Sequence, residues 1–121
     1  CISSVAGRLG YGYRTPYSAT KWAIIGLVKS LAIELGSSGI RANALLPGIV
    51  EGPRMQKVIA DRAAALELSY QDMEQDYLKK ISLRRMVSAQ DVADQAIFLA
   101  SPLGRNISGQ AISICGNVET L

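Results

Sequence analysis

The chain has 121 residues, 49% hydrophobic and 19% charged, with 13 basic and 10 acidic side chains for a formal charge of +3. That balance supports a buried core rather than a disordered tail, and the basic residues are scattered among acids, which excludes the concentrated basic stripe of a nucleic-acid binder. No histidine is present, so Ser-His-Asp chemistry and a histidine-ligated metal are excluded within the chain, and Cys1 and Cys115 form no CxxC pair, so no disulfide framework or structural zinc site is suggested.

Cys1-Ile2-Ser3-Ser4-Val5 looks like the end of a strand, followed by a glycine- and tyrosine-rich loop over 7–13. Thr15-Pro16 is a helix start, with Thr15 as cap and proline at the first helical position. The helix is expected over 16–35, with Gly36 and Gly39 as stop signals. Its apolar residues surround the axis, so it should be covered on more than one side, by a sheet and by another subunit. Gly26 in mid-helix costs roughly 1 kcal/mol relative to alanine and hints at close packing.

Residues 40–46 form a short strand with little alternation, suited to a parallel strand buried on both faces. Pro47-Gly48 breaks it. Two helices follow, near 53–66 and 70–81, with Ser69 and Asp72 resembling a capping box. This stretch holds most of the acidic residues and reads as a peripheral insertion. Ser88 caps another helix that runs to about Ala100, with Asp91 near its positive end. A last strand spans 110–115. The alternation argues for α/β with a parallel sheet. No signal peptide and no membrane-spanning apolar run is present, so the chain reads as soluble and cytoplasmic.

Tyr17-Ser18-Ala19-Thr20-Lys21 sets a phenol and an ammonium four residues apart, on one helix face and one turn from each other. Carbonyl reduction by hydride needs a proton for the developing alkoxide, and alcohol oxidation needs a base. A free tyrosine titrates at about 10, and a nearby lysine favours the phenolate form. Ser4 lies thirteen residues before Tyr17 at a strand end, where its hydroxyl could hold a substrate oxygen or simply bond its own backbone. Pro47-Gly48 follows the next strand, at the carboxyl edge where open α/β sheets place ligands.

Together, Ser3-Ser4-Val5-Ala6-Gly7, Tyr17-Ser18-Ala19-Thr20-Lys21, Gly39-Ile40-Arg41-Ala42-Asn43, Leu46-Pro47-Gly48 and Ser108-Gly109-Gln110 have the order and spacing of short-chain dehydrogenases/reductases. The chain resembles that family over nearly its whole length, and among its members the 3-oxoacyl-(acyl-carrier-protein) reductases. The resemblance implies the carboxy-terminal part of a Rossmann-like doubly wound parallel sheet. It also implies an oxidoreductase moving hydride between NAD or NADP and a ketone or secondary alcohol, such as a 3-oxoacyl thioester. Tyr17 is then the general acid/base, Lys21 supports the phenolate and bonds the nicotinamide ribose, and Ser4 orients the substrate carbonyl. Pro47, Gly48 and the backbone of Ile49 and Val50 border the nicotinamide, and no metal is involved. The segments become a catalytic loop and helix over 1–39, strand and turn over 40–50, a substrate lid over about 51–82, and a last helix and strand over 88–116.

Two departures are local. Many relatives carry a cofactor-contacting threonine shortly after Pro-Gly, where this chain has Glu51-Gly52-Pro53, and Cys115-Gly116-Asn117 stands in place of Asp-Gly-Gly. The glycine-rich pyrophosphate turn of such enzymes has no counterpart here. The nucleotide-binding half is therefore expected on other residues, and the isolated chain is expected to be inactive, as a fragment, a proteolytic product or half of a split protein. The resemblance also suggests a homotetramer. A non-catalytic relative using the same fold for binding or regulation is the alternative, and the joint presence of Ser4, Tyr17 and Lys21 argues against it.

Overall fold

Ala44, Leu45 and Leu46 are buried on both sides and form the centre of the molecule. The computed structural model of the chain describes residues 1–118. In chain order the elements are α1 (Thr15–Leu35), β1 (Ala44–Pro47), α2 (Pro53–Ala65), α3 (Tyr70–Lys79), α4 (Ala89–Ala100) and β2 (Ala111–Ile114). Short 3₁₀ turns occupy Val5–Gly7, Gly36–Ser38 and Pro102–Gly104.

β1 and β2 run parallel, with Ala44 opposite Ala111 and Pro47 opposite Ile114. On the other edge of β1, Ile2 makes a parallel bridge to Leu45, through Ser3 N–H to Leu45 O at 2.8 Å and Leu45 N–H to Cys1 O at 2.9 Å. Parallel neighbours need crossover helices, and α1 and α4 serve as these. Ile24, Ile25 and Val28 of α1 pack on Ala42, Ala44, Leu46 and Ala111. The opposite face of α1 leaves Trp22, Leu27 and Ile33 exposed, Ile33 at 83%.

Several expected boundaries shift, for identifiable reasons. The predicted strand over 40–46 begins only at Ala44, because the residues before it serve as a clamp. The Arg41 guanidinium donates to the carbonyls of Leu99 (2.7 Å), Gly104 (2.9 Å) and Ile107 (3.3 Å). Asn43 donates to Ile107 O at 2.8 Å and accepts from Gln110 N–H at 3.0 Å. The strand also continues through Pro47, whose missing N–H removes no bond to β2. Ala44 N–H donates to Gln110 O and Gly48 N–H to Ile114 O, so the alternation turns the Pro47 nitrogen away from β2. The last strand is shorter than 110–115, and the opening strand is reduced to the bridge at Ile2.

α1 starts one residue earlier than expected. Arg14 occupies the cap with no side-chain hydrogen bond, and Thr15 is already helical. At the other end α1 passes through Gly36, still right-handed, into the 3₁₀ turn Gly36–Ser38, and Gly39, with φ of 73°, caps that turn in the left-handed conformation.

α2 and α3 form a hairpin around Ile59, Ala63 and Met73, with Met55, Tyr70, Tyr77 and Met86 packed against them. Ser69 accepts from Asp72 N–H at 3.0 Å, but the Asp72 carboxylate takes the Ser69 hydroxyl rather than its backbone N–H, so the box is half formed. The box at α4 is complete, with Ser88 Oγ accepting from Asp91 N–H and the Asp91 carboxylate accepting from Ser88 N–H. Both ends of the hairpin are tied to the sheet region, by the Val50–Val87 and Ile81–Val118 bridges. Among the described residues no helix is long and apolar enough to cross a membrane.

Candidate active site

The segment Ser3 to Gly7 meets the first two turns of α1 through backbone. Ser3, only 4% exposed, donates its hydroxyl to Lys21 O at 2.7 Å. Ser18 Oγ donates to Ala6 O at 2.9 Å. A Cβ on Gly7 would lie 2.7 Å from Lys21 O and 2.6 Å from Ser3 Oγ, so only glycine lets the turn and the helix approach this closely. Sequence reading passed over Ser3 and Gly7 as positioning residues. The adjacent Ser3-Ser4 pair was the available signal, since in an extended segment neighbours point to opposite sides.

Ser4 does what its residue type allows locally: Oγ accepts from Ala6 N–H at 3.2 Å and caps the 3₁₀ turn. That bond uses a lone pair and leaves the hydroxyl proton available for donation. Tyr17 and Lys21 are brought together as the spacing predicted, with Lys21 Nζ 5.6 Å from the centre of the Tyr17 ring. The ammonium also reaches Ile2 O at 3.4 Å, which ties the helix face to the strand that carries Ser4. Tyr17 is 41% exposed. Tyr11, treated from sequence only as part of a loop, lies against it with ring centres 6.4 Å apart and planes at 79°.

Pro47 and Gly48 stand at the carboxyl end of β1. A Cβ on Gly48 would lie 2.7 Å from the Cβ of Cys115, so the residue is required for strand approach as well as for the turn. Past it, Val87 engages Ile49 O and Glu51 N–H, at 2.9 and 2.8 Å. The Ile49 N–H, the Val50 N–H and the Val50 carbonyl have no partner among the described residues. These are polar groups at a sheet's carboxyl edge, suited to a ligand amide.

Beyond this edge, a cleft of about 310 Å³ lies between α2, α3 and the loop before α4, lined by Met55, Ile59, Tyr70, Glu74, Arg85 and Met86. Burial, with the Glu74 carboxylate 3.5 Å away, holds the Tyr70 phenol above its ordinary range. A second cleft, of about 260 Å³, lies beside the Ser4 turn, where Arg8 bonds Ser113 Oγ at 3.1 Å. Among the described residues no group of three or more His, Cys, Asp or Glu side chains could hold a metal ion.

A sequence model of the family described as Enoyl-(Acyl carrier protein) reductase matches residues 1–117. The chain belongs to the short-chain dehydrogenase/reductase family. It is 34% identical to sorbitol-6-phosphate 2-dehydrogenase of Escherichia coli (strain K12), over 95% of this chain and 45% of that protein. Its structure is similar to an actinorhodin polyketide ketoreductase variant with NADPH, at TM-score 0.89 and 30% identity over 99% of this chain and 46% of that one. It is also similar to 4-hydroxyisoleucine dehydrogenase complexed with NADH, at TM-score 0.74 and 28% identity over 98% of this chain and 44% of that one. The chain thus spans about half the length of the short-chain dehydrogenases/reductases it matches, and its α/β arrangement with a parallel sheet is Rossmann-like.

Proposed function

We propose that this chain supplies the acid/base and substrate-facing part of an enzyme that moves hydride between NAD or NADP and a ketone or secondary alcohol, with 3-oxoacyl thioesters as the leading substrate class. The observation that carries the reading is the Tyr17–Lys21 pair on one face of α1, fastened by the Ser3 hydroxyl and the Lys21 ammonium to the strand end that bears Ser4.

In reduction, the Ser4 hydroxyl donates to the substrate carbonyl oxygen and holds it beside Tyr17. The Tyr17 O–H then delivers its proton to that oxygen as negative charge develops on it. The Lys21 ammonium stabilises the phenolate left behind. In oxidation the proton moves the other way. When bound, the nicotinamide supplies or takes up the hydride. Lys21 and the edge formed by Pro47, Gly48, Ile49 and Val50 fit such a group, because the Ile49 and Val50 amides there have no partner among the described residues. The segment over 51–82 forms the lid that selects the substrate.

The pyrophosphate-binding part of the site lies on the other half of the fold, so isolated 1–121 is inactive and binds no dinucleotide. The working enzyme is a cytoplasmic homo-oligomer, a tetramer by family likeness, and the exposed Trp22, Leu27 and Ile33 on α1 are compatible with such contacts.

The test is reduction of a panel of 3-oxoacyl thioesters and simple ketones, with NADH and NADPH, by the whole protein carrying this chain and by its Tyr17→Phe variant. Turnover is expected to fall at least about 100-fold with cofactor binding retained. Near-normal turnover in the variant overturns the role of Tyr17. Tight NADH binding by 1–121 alone overturns the division of the site.

A further inference from the structure

Tyr17 leaves α1 near its start, half exposed, and its hydroxyl makes no hydrogen bond among the described residues. A helical tyrosine has two open χ1 wells, near 180° and −60°. Exchanging them swings the hydroxyl through a distance that proton transfer cannot tolerate. The Lys21 ammonium beside the ring is a point charge on a flexible stem and restrains the ring weakly.

The firmer neighbour is Tyr11. Its ring meets that of Tyr17 in an edge-to-face arrangement, 6.4 Å between centres, a geometry the aromatic quadrupoles favour. Tyr11 is itself held. The Arg14 guanidinium lies over its ring, 5.8 Å from the centre, and Arg14 N–H donates to Tyr11 O at 3.2 Å. The flanking Gly10 and Gly12 have open space around them, so these contacts are the anchor at this point of the loop. Tyr13 provides the contrast: two residues on, it is wholly exposed, in a left-handed conformation (φ of 59°), with no ring contact among the described residues.

We infer that Tyr11 is a positioning residue, whose ring, clamped by Arg14, selects the Tyr17 rotamer that presents the phenol to substrate. The inference rests on the acid/base role proposed for Tyr17. The ring and not the hydroxyl of Tyr11 does the holding, since its hydroxyl makes no hydrogen bond among the described residues.

The experiment compares Tyr11→Phe with Tyr11→Leu. In the whole protein, Tyr11→Phe keeps kcat within about twofold of the parent, whereas Tyr11→Leu lowers it about tenfold or more with KM changed less than about twofold. On the chain itself, NMR of labelled tyrosines shows contacts between the two rings in the parent. In Tyr11→Leu, the Hα–Hβ couplings of Tyr17 become averaged between rotamers. Where Tyr11→Leu fails to fold, Arg14→Gln serves as the second variant and gives the same pattern at smaller amplitude. Unchanged kcat and unaveraged Tyr17 couplings in Tyr11→Leu overturn the inference, as does equal loss in Tyr11→Phe. Full activity of Tyr17→Phe overturns the functional reading instead, and leaves the NMR comparison to decide where Tyr11 holds the ring.

Discussion

The junction between the Ser3–Gly7 segment and α1 and the α2–α3 hairpin are held in opposite ways. At the junction, hydroxyls bond carbonyls across the interface, from the buried Ser3 to Lys21 and from the half-buried Ser18 to Ala6, and a glycine removes the last obstacle to contact. The hairpin is held by its own apolar residues, Ile59, Ala63 and Met73, with the Lys57–Asp61 and Lys79–Asp76 pairs lying exposed on its surface. Hydrogen bonds are directional and tolerate little displacement, whereas apolar burial is non-directional and tolerates repacking. The region proposed for chemistry therefore has the stiff kind of contact, and the region proposed for substrate selection has the adaptable kind.

The sharpest way to break that comparison is in the hairpin core. Ile59 is 1% exposed, and Ile59→Ala is expected to cost about 2–5 kcal/mol. Hydrogen exchange should show protection lost in α2 and α3 while the Ser3 and Leu45 amides stay protected. Equal loss in both regions would mean that they form one cooperative unit. Next in size is Gly7→Ala, whose added methyl meets the Lys21 carbonyl, with an expected cost of about 1–3 kcal/mol by thermal melting. A melt indistinguishable from the parent would show the junction to be adaptable after all.

The smallest effect concerns pH and sets a baseline outside both regions. Hydrogen bonds from Ser88 backbone and hydroxyl, with a smaller part from Arg85, hold the Asp91 carboxyl below the usual carboxylate range. A group whose folded value is depressed stabilises the fold above its unfolded value, near ~3.9 for aspartate, and that contribution disappears as pH falls through the folded value. Acid should therefore weaken the start of α4, and Asp91→Asn should flatten that part of the melting temperature's acid limb. An unchanged acid limb would remove Asp91 as the cause.

Elements set by local pattern could be read from the sequence. The helices, Ser88 as the cap of α4, the left-handed glycine at Gly39 and the shared face of Tyr17 and Lys21 all depend on residues within a few positions of each other, whereas the box expected at Ser69 is half formed and the complete one lies at Ser88. Residues 40–43 were misread as strand because Arg41 and Asn43 serve carbonyls more than fifty positions away. Ser3 and Gly7 were passed over for the same reason. Nothing within their own turn says that a helix carbonyl will arrive there.

The sequence by itself therefore determined the α/β alternation, the motif set that marks the family, and the one-turn spacing of phenol and ammonium, all consequences of short-range geometry. Only the tertiary structure decided which of two adjacent serines is buried against α1 and which has a hydroxyl proton with no acceptor among the described residues. It also decided that Gly48 must admit Cys115, and that Tyr11 rather than Tyr13 touches Tyr17. Each of these depends on how closely two remote stretches of backbone approach, and that distance is set by the packing of the whole chain.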